Sequence, residues 1–411
     1  MEKFLKEVRD RPISIVIFIF IFIFLAVFLF DRIFLAPKRK KSELPCYNKE
    51  IVIWSEFKGK PFELLNKSLK KYCLKVNVIL KKNKDIESQL LQAIAEGNSP
   101  DIVYISNNYL KKNKKIFKEY EGKKLTLDNY PESITKVFNN KFLAYPITFD
   151  VLVNFVNKDY LSSAGFYDTI YYWEDFENKF SSLKVLDYNG LIKVSPISLG
   201  LSKNVENYSE IFAVINKNLN QDDYRKVNAI LKTLDFITKY ADKTSSYYSW
   251  DSYLPNSIEA FAQEKLVFLP AFYSQKKEIL EINPRINFSL SPFFQFKNAP
   301  KKYNYLKSFY FGVLKNKNSK ISWLVIEELD KLYPKFAETF EIIPVRKDLF
   351  ENVDKEKEIL IKQMLSGDYF EEINYDFVNE VLKDYLNRWL TDRNNLEEKL
   401  KRSDIFKFFV K

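Results

Sequence analysis

Catalysis usually needs a group that can exchange a proton, attack a carbon or hold a metal, and this sequence of 411 residues is short of such groups. It contains no histidine. That removes every triad, zinc site and proton shuttle built on imidazole. Carboxylate and lysine chemistry stays open, but the 54 acidic residues form no recognisable motif. A glycosidase-like pair of carboxylates therefore has no support. No GxGxxG, P-loop, GxSxG or metal-ligand spacing occurs. No catalytic residue, metal ligand or cofactor is assigned. The chain is rich instead in aromatic residues, at 17%. Holding a small molecule takes aromatic faces and a few aimed polar groups, not a reactive nucleophile.

Such groups need elements to aim them. Glu50 to Trp54 is a short apolar strand, and Phe62, Leu65, Leu69 and Tyr72 follow at helical spacing. Lys75 to Leu80 is a second strand. Ile86, Leu90, Leu91 and Ile94 mark a second helix, which Gly97 ends, and Asp101 to Ile105 is a third strand. This β-α-β-α-β order predicts a parallel sheet covered by helices. Ligands bind outside the carboxyl ends of such strands. That singles out Trp54 and Glu56 after the first strand, and Asn107 and Asn108 after the third. Trp54 suits a ligand ring or a core position, and the asparagines suit a ligand or a turn. Further on, Leu266 to Leu269 and Phe309 to Leu314 look like strands, and Tyr369 to Val410 like a helix with one buried face. Adjacent parallel strands place their amino ends side by side, roughly 5 Å apart. Cys46 and Cys73 precede the first two strands and are within disulfide reach. Two buried free thiols are the alternative.

The amino-terminal region is different in kind. Ile13 to Phe30 carries no charge over 18 residues. As a helix it would span roughly 27 Å, about one hydrocarbon core. No A-x-A pattern follows it, and Cys46 lacks the small residues that precede a lipoprotein cysteine. The run is read as a retained transmembrane anchor, with a tail at 1–12 and a linker at 31–47. Lysine and arginine flank it on both sides, so charge does not set its orientation. The net charge of +11 is spread among interspersed charges of both signs, without an arginine stripe, and nucleic acid is not expected as a partner.

Several stretches, taken in order, carry a resemblance. Ala93 to Ile105 reads AIAEGNSPDIVYI, and Leu143 to Asp159 reads LAYPITFDVLVNFVNKD. Trp173-Glu174-Asp175-Phe176 follows, with Tyr172 where a threonine is usual. Pro255 to Val267 reads PNSIEAFAQEKLV, with Glu264 in place of a glycine. Phe311-Gly312-Val313 and Ile343 to Asp348 complete the series. The chain resembles family 1 of the extracellular solute-binding proteins, the maltose-binding-protein-like receptors of ABC importers, over roughly residues 48 to 390. The resemblance implies an α/β, two-lobed periplasmic-binding-protein-like fold of class II, here with an N-terminal transmembrane helix. Lobe 1 would be 48–147 continued by 314–342, and lobe 2 would be 148–313 continued by 343–411. The lobes would close on a small polar solute, a sugar or oligosaccharide, and deliver it to ABC permease subunits.

The resemblance also assigns residues. Asp150 occupies the acidic place of the first crossing strand, where a carboxylate can accept strong hydrogen bonds from sugar hydroxyls. Tyr145 on that strand suits packing. Trp250, Phe272 and Tyr273 fall where stacking aromatics or core residues belong in the second lobe. The tryptophan and Asp-Arg pair of maltodextrin binders are replaced by Ile105, Asn108 and Tyr109, which argues against maltodextrin itself. The expected location is the cell membrane, single-pass, with the large domain extracytoplasmic, where a disulfide can form. The competing reading is a degenerate solute-binding fold acting as an envelope protein-interaction module.

Overall fold

The computed structural model describes residues 21–25, 44–351, 353–368 and 375–402. The chain divides into a small compact unit, 1–49 with 70–74, and a large one, 50–69 with 75–411. In the small unit Cys46 and Cys73 form a disulfide with a Cα–Cα distance of 5.0 Å. The backbone beside it is paired as well: the N–H of Tyr47 donates to the carbonyl of Tyr72 at 2.9 Å. Of the anchor expected at 13–30, residues 21–25 are described. They are helical, and all five side chains are exposed. The rest of that run lies outside the described residues, among which no helix is long and apolar enough to cross a membrane.

The first elements follow the sequence pattern closely. They are β1 (Lys49–Ser55), α1 (Lys60–Leu69), β2 (Leu74–Leu80), α2 (Asn83–Ala95), β3 (Ile102–Ser106) and α3 (Asn107–Lys112). β1 and β3 run parallel, with Ile53 opposite Ile102. α1 buries Phe62, Leu65 and Leu69, as their spacing requires. Gly97 ends α2 at φ +73°, a conformation that side chains disfavour.

Two long strands connect the halves of the large unit. β4 (Ala144–Asn157) is buried along its whole length, and β9 (Asn304–Val313) runs antiparallel to it. Between them come the short β5 (Val185–Leu186), β6 (Ile192–Ile197), β7 (Leu266–Phe272) and β8 (Phe288–Pro292). At its amino end β4 pairs β9, which in turn pairs β3, so this end belongs with β1 and β2. At its carboxyl end β4 pairs β7 and β8, and β6 joins β7 in parallel. The result is a two-lobed α/β fold with β4 common to both sheets and β9 paired along its amino half. A close approach requires Gly312 in β9, since a Cβ there would lie 2.6 Å from the ring of Phe117.

The remaining helices used below are α4 (Trp173–Leu183), α5 (Tyr208–Asn220), α6 (Lys276–Ile282), α7 (Ser319–Lys331), α8 (Tyr333–Thr339), α9 (Lys355–Leu365) and α10 (Tyr375–Arg402). The last falls within the helix expected at 369–410, whose two ends lie outside the described residues. Much of the aromatic content is core. Trp173, at the start of α4, packs among Phe176, Phe236, Phe293 and Phe294 with ring centroids 4.9–6.1 Å away.

Candidate functional site

The site grows from Asp150, midway along β4. Its carboxylate accepts from the N–H groups of Val151 at 3.0 Å and Ser274 at 3.2 Å. Asp150 is only 8% exposed, and burial raises its carboxyl above the usual range. Ser274 and the nearby Lys307 ammonium oppose that shift. Lys307 lies opposite Asp150 in the β4–β9 register, and its Nζ is 3.0 Å from Oε1 of buried Glu210, in the first turn of α5. The same ammonium sits 3.6 Å from the centre of the Phe272 ring. Phe272 ends β7 and is 2% exposed, so the lysine covers the face a ligand would stack on.

The carboxyl ends of β1 and β3 form the other edge. Trp54 is 7% exposed, and Lys81 lies over its ring at 4.2 Å. Exposed Glu56 accepts from the N–H of Asn83 at 2.5 Å, at the start of α2, where a carboxylate complements the helix dipole. Desolvation raises its carboxyl, the Asn83 N–H opposes this, and Glu87 raises it further. Phe57, the next residue, packs on Tyr104, Phe336 and Phe340, with centroids 4.9–5.4 Å apart. The edge of β1 and the helix α8 are thereby one wall. Tyr104 is buried, which pushes its phenol up, and Glu56, Asp150 and Glu87 push it further.

Asn107 is buried, and its side-chain oxygen accepts from the N–H of Ser308 in β9 at 3.1 Å. It ties α3 to the crossing strand. Asn108 is exposed beside it. Tyr145 is fully buried and donates to Asp330 at 2.7 Å, a packing role as expected. Trp250, a candidate for stacking, is 0% exposed, and its indole N–H donates to Asn204 at 3.0 Å. It is a core residue here: nothing in the structure opens its ring to a solute.

Tyr273 and Ser274 lead directly into a cavity of about 820 Å³. One side is formed by Tyr273, Ser274 and α6 with Lys276, Lys277, Leu280 and Glu281. The α9 start adds Asp354, Glu356 and Lys357, and α8 with its carboxyl end contributes Ala337, Glu338 and Glu341 from the other side. The Tyr273 hydroxyl donates to Glu356 at 2.7 Å, and Lys276 pairs with the same carboxylate at 2.5 Å. The volume lies within the roughly 300–1,000 Å³ of small-molecule sites. Among the described residues no group of three or more His, Cys, Asp or Glu could hold a metal ion.

Of the expected residues, the structure brings Asp150, Phe272 and Tyr273 together through Ser274 and Lys307. Trp54 and Glu56 stand on the facing edge. Sequence reasoning missed Lys307, Glu210, Ser274, Glu356, Glu338 of α8 and Glu341 just beyond its carboxyl end. One signal was present: Lys307 is the only charge in the strand NYLKSFYFGV.

No known family profile matches the sequence, and neither does any curated protein. Solved structures do match. An ABC transporter solute-binding protein from Thermotoga lettingae, bound with alpha-D-tagatose, is 18% identical with a TM-score of 0.64, over 88% of this chain and 100% of that one. A cyclo/maltodextrin-binding protein complexed with maltotetraose gives 13% and 0.68 over 88% and 96%. The sugar-binding protein MalE from Xanthomonas citri gives 14% and 0.66 over 88% and 98%. The fold is that of the maltose-binding-type solute-binding proteins.

Proposed function

We propose that the protein captures a small polar solute, a sugar or oligosaccharide, between two lobes and delivers it to an ABC importer. The observation that carries this reading is the 820 Å³ cavity, lined by α6 and α9 on one side and α8 on the other and reaching Asp150 through Ser274. The lobes in this reading are 48–147 with 314–342 and 148–313 with 343–411. They close on the solute by bending where β4, β9 and the segment at 343–346 cross. The solved structures of the same fold named above, two of them with a sugar bound, support the solute class. Retention of residues 13–30 as an anchor, with the large unit outside the membrane, completes the proposal. The disulfide suits an oxidising exterior.

A ligand that binds only the folded state raises the melting temperature. A panel of mono- and oligosaccharides, polyols, amino sugars and short peptides, followed by differential scanning fluorimetry, is expected to give a saturable rise for at least one class. The second reading, an envelope interaction module with an idle cleft, has one observation in its favour: lysines cover the Trp54 and Phe272 rings. A flat response across the panel would select it.

A further inference from the structure

The central strands are closed to solvent with two exceptions. β4 is buried at all 14 positions, and β9 at all of its 10 but Lys307 and Phe309. Side chains alternate along a strand, so these two share one face. Thr148 and Asp150 stand opposite Phe309 and Lys307 in the β4 register and share it too.

Each open position is held from a different half of the fold. The Phe309 ring is stacked on Tyr104 of β3, with centroids 5.4 Å and planes 11° apart. The Lys307 ammonium is held by Glu210 of α5 at 3.0 Å and lies over Phe272 of β7. The space above the pair is therefore where the two halves meet. The other rings that could take a ligand are spoken for: lysines cover Trp54 and Phe272, and Trp250 is core. Phe309 keeps part of its ring open, with its donor two residues away. An ammonium donates more than one hydrogen bond, so the Glu210 pair does not exhaust Lys307. The positive charge itself is answered by Glu210 and by Asp150 across the register, which leaves no surplus for an anionic solute.

We propose that Phe309 and Lys307 form the floor of the solute site, on which a neutral sugar ring lies. Its C–H face meets the negative face of the Phe309 ring, and one of its oxygens accepts from the Lys307 ammonium. This rests on solute capture between the lobes, and it extends the site from Ser274 and Asp150 onto β9.

The test is isothermal titration of the full chain with glucose, tagatose, mannobiose, maltotriose, glucuronate and glucosamine. The tightest probe is expected to be one of the neutral sugars. Phe309→Leu keeps apolar bulk but loses the flat face, and should weaken that sugar about five-fold or more. Phe309→Tyr keeps the face and should stay within about two-fold of the wild type. Lys307→Met is made together with Glu210→Gln, so that no buried carboxylate is left alone. Against Glu210→Gln by itself, it should weaken the sugar roughly ten-fold. Melting temperatures check that each variant is folded, and if Phe309→Leu does not fold the lysine variant carries the test. Tightest binding by glucuronate or glucosamine overturns the neutral ring. A sugar that binds the folded variants as tightly as the wild type overturns the floor and leaves solute capture standing. No binding by any probe, together with a flat melting panel, overturns both.

Discussion

At the scale of the residue, Asp150 shows how a binding group is held at a cost. Its carboxylate is buried in β4, and two N–H groups, the Ser274 hydroxyl and the charge of the Lys307 ammonium offset its lost hydration. Burial raises its folded pKa above that of the unfolded chain, which lies at about 3.9. The sign follows from linkage. Between those two values the folded state binds more protons, so stability contributed by this group is full below the lower one and is lost as pH rises through the upper one. Asp150→Asn keeps an oxygen for the Ser274 N–H and removes the charge. Denaturant unfolding of this variant is expected to show a gain over the wild type near pH 7 that shrinks as pH falls toward 4. Affinity for whichever probe binds should fall by ~1–3 kcal/mol if the carboxylate receives charge-assisted hydrogen bonds. A constant stability difference across pH would mean that the charge, not the packing, had been misjudged; unchanged affinity would remove Asp150 from the site.

At the scale of the element, the disulfide is the most local constraint. Cys46 and Cys73 are separated by 27 residues, and the loop they close contains β1 and α1. In the chain-entropy model a loop of that length is worth ~3–4 kcal/mol. Cys46→Ser/Cys73→Ser, compared with the wild type in urea, should lose about that much; an unchanged midpoint would show that the unfolded chain is not held by the bond. The pairing was legible because it depends on strands whose apolar runs are short, bounded and parallel. The first crossing strand was legible only through the resemblance carried by LAYPITFDVLVNFVNKD, and the structure buries it at every position. β9 was seen only from Phe309, because Asn304 and Lys307 interrupt its pattern with groups whose partners lie far away in sequence. Lys307 meets Glu210, which is 97 residues distant. Trp250 and Phe272 were ambiguous because an aromatic ring serves a core and a ligand equally well, and only the neighbours decide. Glu264 illustrates the opposite case. It stands where the resemblance puts a glycine, and it adopts the left-handed φ of +59° that a glycine would take easily.

At the scale of the whole molecule, two charges of opposite sign coexist. The chain carries a net +11, yet the cavity is lined by five carboxylates and three lysines. At physiological salt, fields fade over about 8 Å, so a solute in the cleft meets the local wall and not the total. The excess of lysine is then free to serve surfaces, including the cluster between Pro37 and Lys41, which would lie at anionic headgroups if the anchor is retained. Placement depends on that anchor. Residues 21–25 expose Ile21, Phe22, Ile23, Phe24 and Leu25 to between 52% and 74%, in a helix. Five consecutive large apolar side chains left uncovered are costly in water, at about 25 cal/mol for each Å² of apolar surface. Lipid removes that cost, and a helix satisfies its own backbone within the bilayer. Flanking charge does not choose the side, so the side must be measured. Protease added to intact cells is expected to remove the large unit and to leave a small membrane-bound fragment containing residues 13–30. Chelating or competing away the protease should restore the full-length band, and lysed cells should give the same fragment. A large unit protected in intact cells and cut only after lysis would place it on the inner side, where a Cys46–Cys73 bond would be reduced and capture for import would have no solute to meet.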